Sequence, residues 1–330
     1  MKAIVYQNDG SPDVIKLEDI KKPIAGDDEV LIKVRAASVN AFDAGLLKHP
    51  FMRRIVFALS KQKNNLESNR PGRDVAGLVE AVGSNVTQFK PGDAVFGWCG
   101  GAFAEYACTS QAKLVMKPDN ASFEQAAAVP VAALTALQGL RDKAQIQRGQ
   151  KVLINGASGG VGTFAVQIAK SFGAHVTAVC SPRNVDMARS IGADRVIDYT
   201  QEDFTKGGEL YDVIFDIVAN HSFSARRGVL NPKGIYVGAG IVGLGDSMIR
   251  LLSHLIAELF LSRFVRQKFV TLMTKLNKED LIVLRDLMAA GKITPVIDRC
   301  YSLSETPMAI QYFLEGHARG KVVITLDHKT

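Results

Sequence analysis

A chain of 330 residues, 47% hydrophobic and 22% charged, has the composition of an ordinary globular protein and is too long for one comfortable core, so about two domains are expected. The formal net charge of +7 is moderate and comes with no nucleic-acid-binding motif, so no RNA or DNA role is expected. Cys99, Cys108, Cys180 and Cys300 are scattered without a Cys-x-x-Cys pair, which argues against a disulfide framework or a cysteine zinc site and suits a reducing cytoplasm.

The chain opens on "MKAIVYQNDG", an alternating strand pattern with no apolar signal-peptide core, so export is not expected and a cytoplasmic location is. "EVLIKVRAASVN" alternates in the same way, and "AGLVEAVG" and "DAVFGW" are short apolar runs divided by Gly, Asn and Pro-Gly turns. Residues 1–122 therefore read as a small β-barrel-like domain. Within them, "HPFMRRIVFALSKQKNN", residues 49–65, mixes bulky apolar side chains with Lys and Arg.

From "SFEQAAAVPVAALTALQGL" onward strands and helices alternate, with Ser122 and Gln125 at capping-box spacing. "KVLINGASGGVGTFAVQIAK", residues 151–170, then runs apolar strand, glycine-rich turn, helix: Val152 to Ile154 are apolar, and Val161, Phe164, Ala165, Ile168 and Ala169 recur at helical spacing. Gly156, Gly159, Gly160 and Gly162 let a ligand approach the backbone. The free N–H groups and positive dipole of the following helix favour an anion, as where a dinucleotide pyrophosphate is held. The spacing is Gly-x-x-Gly-x-x-Gly, so it is the strand-to-helix context that carries the reading against simple helix packing.

Which dinucleotide is decided one strand later. "GAHVTAVCSPRN" reads as a strand over Val176 to Cys180, ending where an NAD-specific protein usually offers Asp or Glu to the ribose 2′-hydroxyl. Ser181, Arg183 and Asn184 stand there instead. A hydroxyl beside a guanidinium suits a 2′-phosphate, and NADPH is the expected cofactor; the alternative is a polar turn with a solvated arginine.

"RVIDY", "DVIFDIV" and "GIYVGAG" continue the alternation and complete a doubly wound parallel sheet. "RLLSHLIAELFLSRFVRQKFVTLMTK", residues 250–275, reads as apolar helix interrupted by Arg250, Glu258, Arg263, Arg266 and Lys268, too charged for a membrane span. This stretch and 49–65 either cover an active site or subunit interface, or make peripheral contact with an anionic membrane surface. A helix and strand in "LIVLRDLMAAGKITPVIDRCYSL" follow, and the last strand, "KVVITL", is assigned back to the first domain. The division expected is 1–122 with 277–330, and 123–276.

Gly72 with "DVAGLVEAVGSNVTQFKPGDAVFG", then "GAFAEYA", "AAVPVAALTAL", "INGASGGVG", "GADRVIDY" and "HARGKVVIT" together resemble the medium-chain dehydrogenase/reductase superfamily, in its zinc-free quinone oxidoreductase branch, over nearly the whole chain. The resemblance implies a GroES-like, β-rich catalytic domain and a Rossmann domain, with the active site in the cleft between them, and a homodimer with an edge strand near "GIYVGAGIVG". Zinc alcohol dehydrogenases of this superfamily carry a Cys ligand and a His-Glu pair where this chain has Asn40 and Arg73-Asp74. No metal is therefore expected, and without a Lewis acid the expected direction is reduction of an already polarised acceptor. The competing short-chain dehydrogenases use Tyr-x-x-x-Lys, and none of the seven tyrosines has lysine four residues on.

The expected reaction is hydride transfer from NADPH to a small, apolar electrophile, a quinone or an α,β-unsaturated carbonyl. The residues expected at the chemistry are Asn40, as a donor to the developing oxyanion, and Asp43, orienting Asn40 or a ribose hydroxyl; the alternative is that both only cap the following turn. Arg73 either supplies fixed charge to the metal-free pocket or pairs with Asp74. By resemblance, Ser158, Gly159, Gly160, Val161 and Gly162 hold the pyrophosphate. Ser181, Arg183 and Tyr199 surround the 2′-phosphate, Thr135 and Gly238 face the nicotinamide, and Lys321 is a basic group near the cofactor. The second reading is a weakly catalytic or non-catalytic NADPH-binding protein docked on a membrane through its basic apolar segments.

Overall fold

The computed structural model describes residues 1–6, 15–48, 70–239 and 266–327. They fall into two units, Met1–Val131 with Leu276–Gly291 and Pro295–Thr330, and Ala132–Lys275 with Lys292–Thr294. The stretch 49–65 and residues 250–265 lie outside the described residues.

In the first unit, β1 (Lys2–Tyr6) pairs antiparallel with β2 (Ile15–Asp19). The larger sheet is built on β3 (Glu29–Ser38), whose Val30, Ile32 and Val34 are wholly buried. One edge of β3 pairs with β4 (Asp74–Val82), which continues to β5 (Ala94–Trp98) and β7 (Leu114–Met116). The other edge is shared. β6 (Tyr106–Ser110) takes its first half, and β15 (Lys321–Thr325), carrying β14 (Ile297–Ser302) beside it, takes the last residues. This register sets Ser38 opposite Asp74 on one side and Val323 on the other. The final strand thus returns to the first unit, as its sequence suggests. The helix Phe123–Ala127 starts with the expected capping box: Ser122 Oγ accepts the Gln125 N–H and the Gln125 side chain accepts the Ser122 N–H.

The second unit holds a parallel sheet in the order β10 (Arg195–Asp198), β9 (His175–Cys180), β8 (Lys151–Asn155), β11 (Tyr211–Asp216), β12 (Leu230–Gly238), β13 (Lys268–Thr271). Leu153, Val179, Ile197 and Ile214 form its core, each worth roughly 1.5–3 kcal/mol when fully buried. The chain moves outward from β8 in both directions, so the switch point lies at the carboxyl ends of β8 and β11, where open α/β sheets bind ligands.

Two expectations are corrected here. Lys268–Thr271 lies within the stretch read as helix but extends the sheet as a strand; its backbone groups bond β12, which outweighs the helical spacing of the segment. For the same reason β12, the "GIYVG" strand, lies between β11 and β13, and the edge on that side of the described sheet is β13. Among the described residues no helix is long and apolar enough to cross a membrane.

Candidate functional site

The carboxyl edge of the parallel sheet gathers most of the expected cofactor residues. At the end of β8 the backbone turns through Gly156 at φ +87°, a left-handed conformation costly for residues with a Cβ. The helix Gly160–Ser171 then begins at Gly159, with no side-chain cap. A Cβ on Gly162 would stand 2.1 Å from the Gly156 carbonyl oxygen and 2.7 Å from Ala157 Cα, so helix and turn are in contact where only glycine fits. Above Gly159 the nearest atom to an added Cβ is the Gly156 oxygen at 3.6 Å. The turn is therefore an open cradle beside the uncapped N–H groups of Gly160, Val161 and Gly162, with Ser158 half-buried at its rim, and it fits a pyrophosphate.

Strand register places the rest of the edge. Asp198 pairs with Cys180, so Ser181 and Tyr199, the next residue of each strand, are neighbours; the Tyr199 N–H donates to Cys180 O at 3.2 Å. Arg183 is exposed on the short turn Pro182–Asn184 that follows Ser181. Gly238 pairs with Asp216 and Thr271. Thr135, on the helix Pro130–Leu137, bonds Thr274 through the two hydroxyls at 3.0 Å, three residues past β13.

Sequence reasoning passed over the pair that ties this edge together. Asp216, wholly buried, closes β11. Its Oδ1 accepts from Asn155 Nδ2 at 2.9 Å and from the Val218 and Ala219 N–H groups at 3.0 and 2.8 Å. Its Oδ2 accepts from the Tyr236 hydroxyl at 3.0 Å. Burial, then the Asp216 charge, pushes the Tyr236 hydroxyl far up, so it stays a donor. The only signal in the sequence was a polar residue ending each apolar run, Asn155 before the glycine turn and Asp216 after "DVIF".

In the first unit, the structure brings together Asn40, Asp43 and Lys321, and adds Ser38 and Asp74. Asp74 is wholly buried. Its Oδ2 accepts from Ser38 Oγ at 2.8 Å and Asn40 Nδ2 at 2.9 Å, its Oδ1 from the Val131 N–H at 3.1 Å, and Lys321 Nζ lies 3.5 Å away. Lys321, 3% exposed, donates to Asn40 Oδ1 at 2.7 Å and Val39 O at 3.0 Å. Burial lowers its pKa, against the pull of the Asp74 and Asp43 charges. All of these partners of its Nζ lie within its own unit. Asn40, expected to aim an N–H at an oxyanion, directs its amide nitrogen to Asp74 and, at 3.3 Å, to Ser38 O. In this arrangement it holds strand ends together. Of the two roles left open for Arg73, pairing with Asp74 is not the contact the structure shows: its guanidinium lies 3.7 Å over the Phe42 ring, while Asp74 is held by the groups above.

Asp43 clamps two backbones, accepting from the Asn40 N–H through Oδ2 and the Gly72 N–H through Oδ1, both at 3.0 Å. The Asn40 carbonyl in turn accepts from the N–H groups of Asp43 and Ala44, so the Asp43 carboxylate caps this turn while the Asn40 side chain is engaged elsewhere. Burial pushes the Asp43 carboxyl up to about 6, opposed by those two N–H groups. With the folded pKa above the unfolded one, this term stabilises fully below about pH 4 and is lost as pH rises through about 6, a swing of about 3 kcal/mol. Asp43→Asn is expected to remove that swing, so in urea unfolding between about pH 4 and 7 wild type should lose about that much stability relative to the variant.

Residues 26–119 match the family model for the alcohol dehydrogenase GroES-like domain, and residues 191–324 the model for a zinc-binding dehydrogenase. The chain is 35% identical to the mitochondrial NAD(P)H oxidoreductase RTN4IP1 of Mus musculus, over 99% of this chain and 89% of that one. It is also 35% identical to the 2-methylene-furan-3-one reductase of Solanum lycopersicum, over 98% of this chain and 79% of that one. The solved quinone oxidoreductase of Coxiella burnetii superposes with a TM-score of 0.82 at 32% identity, covering 99% of each chain.

Proposed function

The chain belongs to the medium-chain dehydrogenase/reductase superfamily, in its quinone oxidoreductase-like part, and from that we propose a metal-independent, NADPH-dependent reductase of quinones or α,β-unsaturated carbonyl compounds. The observation that carries the cofactor reading is the end of β9, where Ser181, beside Tyr199, and then Arg183 follow the strand, with no Asp or Glu at the position an NAD-type ribose contact needs. A guanidinium and hydroxyls favour the doubly charged phosphate.

The metal-free reading is supported by the donor set. Among the described residues no group of three or more His, Cys, Asp and Glu is placed to hold a metal. The buried oxygens of Asn40, Val39 and Asp74 face the Lys321 ammonium instead. With Lys321 Nζ donating to Asn40 Oδ1 and Val39 O, the space is taken by a side-chain nitrogen, and an amide oxygen, a backbone carbonyl and one carboxylate are a poor donor set for zinc. An alcohol would then lack the Lewis acid that eases its ionisation, which favours acceptors that are electron-poor beforehand.

Bound NADPH supplies the hydride. The chain's own part is to hold the pyrophosphate on the Gly156–Gly162 turn and the 2′-phosphate at Ser181 and Arg183, while Asp216 and Asn155 keep the turn in register. Asn40, Asp43 and Lys321 act as positioning residues for the strand ends they join.

Chelator-treated protein should consume NADPH with quinones and enals, and leave simple ketones and alcohols untouched. Loss of nicotinamide absorbance reports it. Turnover that chelation abolishes, or that NADH supports better, would overturn the proposal.

A further inference from the structure

Asn184 closes the short turn after β9: its N–H donates to Ser181 O at 2.9 Å, and its side-chain Nδ2 donates to Ser181 Oγ at 3.0 Å. It is 3% exposed. Although it stands at the start of the helix Val185–Ser190, its side chain makes no capping bond there, and the Ser181 hydroxyl makes none to the turn it precedes. The two side chains are engaged with each other.

A hydroxyl carries one proton and two lone pairs. With an amide N–H filling a lone pair, the Ser181 proton is left for an acceptor. We propose that Asn184 is the positioning residue for cofactor selectivity, setting the Ser181 hydroxyl as a donor toward the 2′-phosphate. A phosphate only accepts, whereas a ribose 2′-hydroxyl also donates and gains most from an acceptor such as a carboxylate. The inference rests on the NADPH reading above.

A second observation separates this role from plain packing. Asn184 Oδ1 is buried with no hydrogen-bond partner, an unfavourable state that an alanine or leucine would relieve. Reversing the amide gives no escape, because the oxygen would then take the serine proton and a buried NH2 would be left with neither hydrogen bonded. The amide oxygen therefore contributes no bond to the fold, and what the side chain does contribute is the bond to the Ser181 hydroxyl.

The test is a double-mutant cycle on binding, read by calorimetry with NADPH and NADH. Asn184→Ala, and Asn184→Leu with its similar shape, are expected to weaken NADPH about tenfold and NADH less than about twofold, without lowering Tm. In the Ser181→Ala background neither change should weaken NADPH further. Equal losses for both cofactors, additive losses with Ser181→Ala, or no loss where Ser181→Ala alone has one, would each overturn the role of Asn184. If wild type binds NADH as tightly as NADPH and Ser181→Ala alters neither, the NADPH reading fails first and the inference with it.

Discussion

Gly159→Ala and Gly162→Ala are expected to abolish tight cofactor binding for different reasons, and the contrast is diagnostic. Gly159 has φ −81° and ψ 176°, ordinary extended backbone, and its Cβ would meet nothing closer than 3.6 Å. Stability should therefore stay within about 0.5 kcal/mol of wild type. The added methyl would occupy the cradle above the helix N-terminus, and NADPH affinity should fall by about 3 kcal/mol, roughly 100-fold. At Gly162 the added Cβ meets backbone atoms at 2.1 and 2.7 Å, which no rotamer change relieves. That variant should lose about 1–3 kcal/mol of stability, and its displaced turn should bind NADPH at least as poorly. Urea unfolding with cofactor titration separates the two; a Gly159→Ala protein with unchanged affinity would show that the pyrophosphate lies elsewhere.

Lys321→Met is expected to have the largest effect on stability. The ammonium lies among Asn40 Oδ1, Val39 O and Asp74 Oδ2 with almost no solvent access, and Asp74 is wholly buried. Removing the cation leaves a buried carboxylate without its counter-charge and an amide oxygen without its donor, a loss of about 3–5 kcal/mol. Proteins of this kind have only about 5–15 kcal/mol in total, so much of the stability would be lost. Adding Asp74→Asn should recover part of it, because the orphaned charge goes with it. Unfolding of the two single variants and the double variant gives the coupling directly. A Lys321→Met protein within about 1 kcal/mol of wild type would refute the buried-cation account.

The two candidate sites differ in how far they could be read from the chain alone. The glycine turn is a local device. Val152 to Ile154, the glycines and the helix after them are contiguous, and their spacing alone predicts strand, turn and helix. The capping box at Ser122 and Gln125 was legible for the same reason. Ser181 and Arg183 could be placed because they follow a strand of clear pattern. The strand at Lys268–Thr271 was misread because a short apolar run fits helix or strand, and only a neighbour with free backbone groups decides between them.

The polar pairs lie at the other extreme. Asn155 and Asp216 are 61 residues apart, Asn40 and Asp74 are 34 apart, and Asn40 and Lys321 are 281 apart. Periodicity says which side of a strand is apolar and nothing about which strand lies beside it. By itself the sequence determined the two kinds of domain, the glycine-rich turn between strand and helix, and the polar end of β9, because each depends on residues within a few turns of one another. Only the tertiary structure decided that β15 lies along β3, and so that Lys321 turns its charge inward to Asn40 and Asp74. The reason is physical: a buried charge takes the partner that pairing over hundreds of residues delivers, and that pairing is chosen by the burial of whole strands.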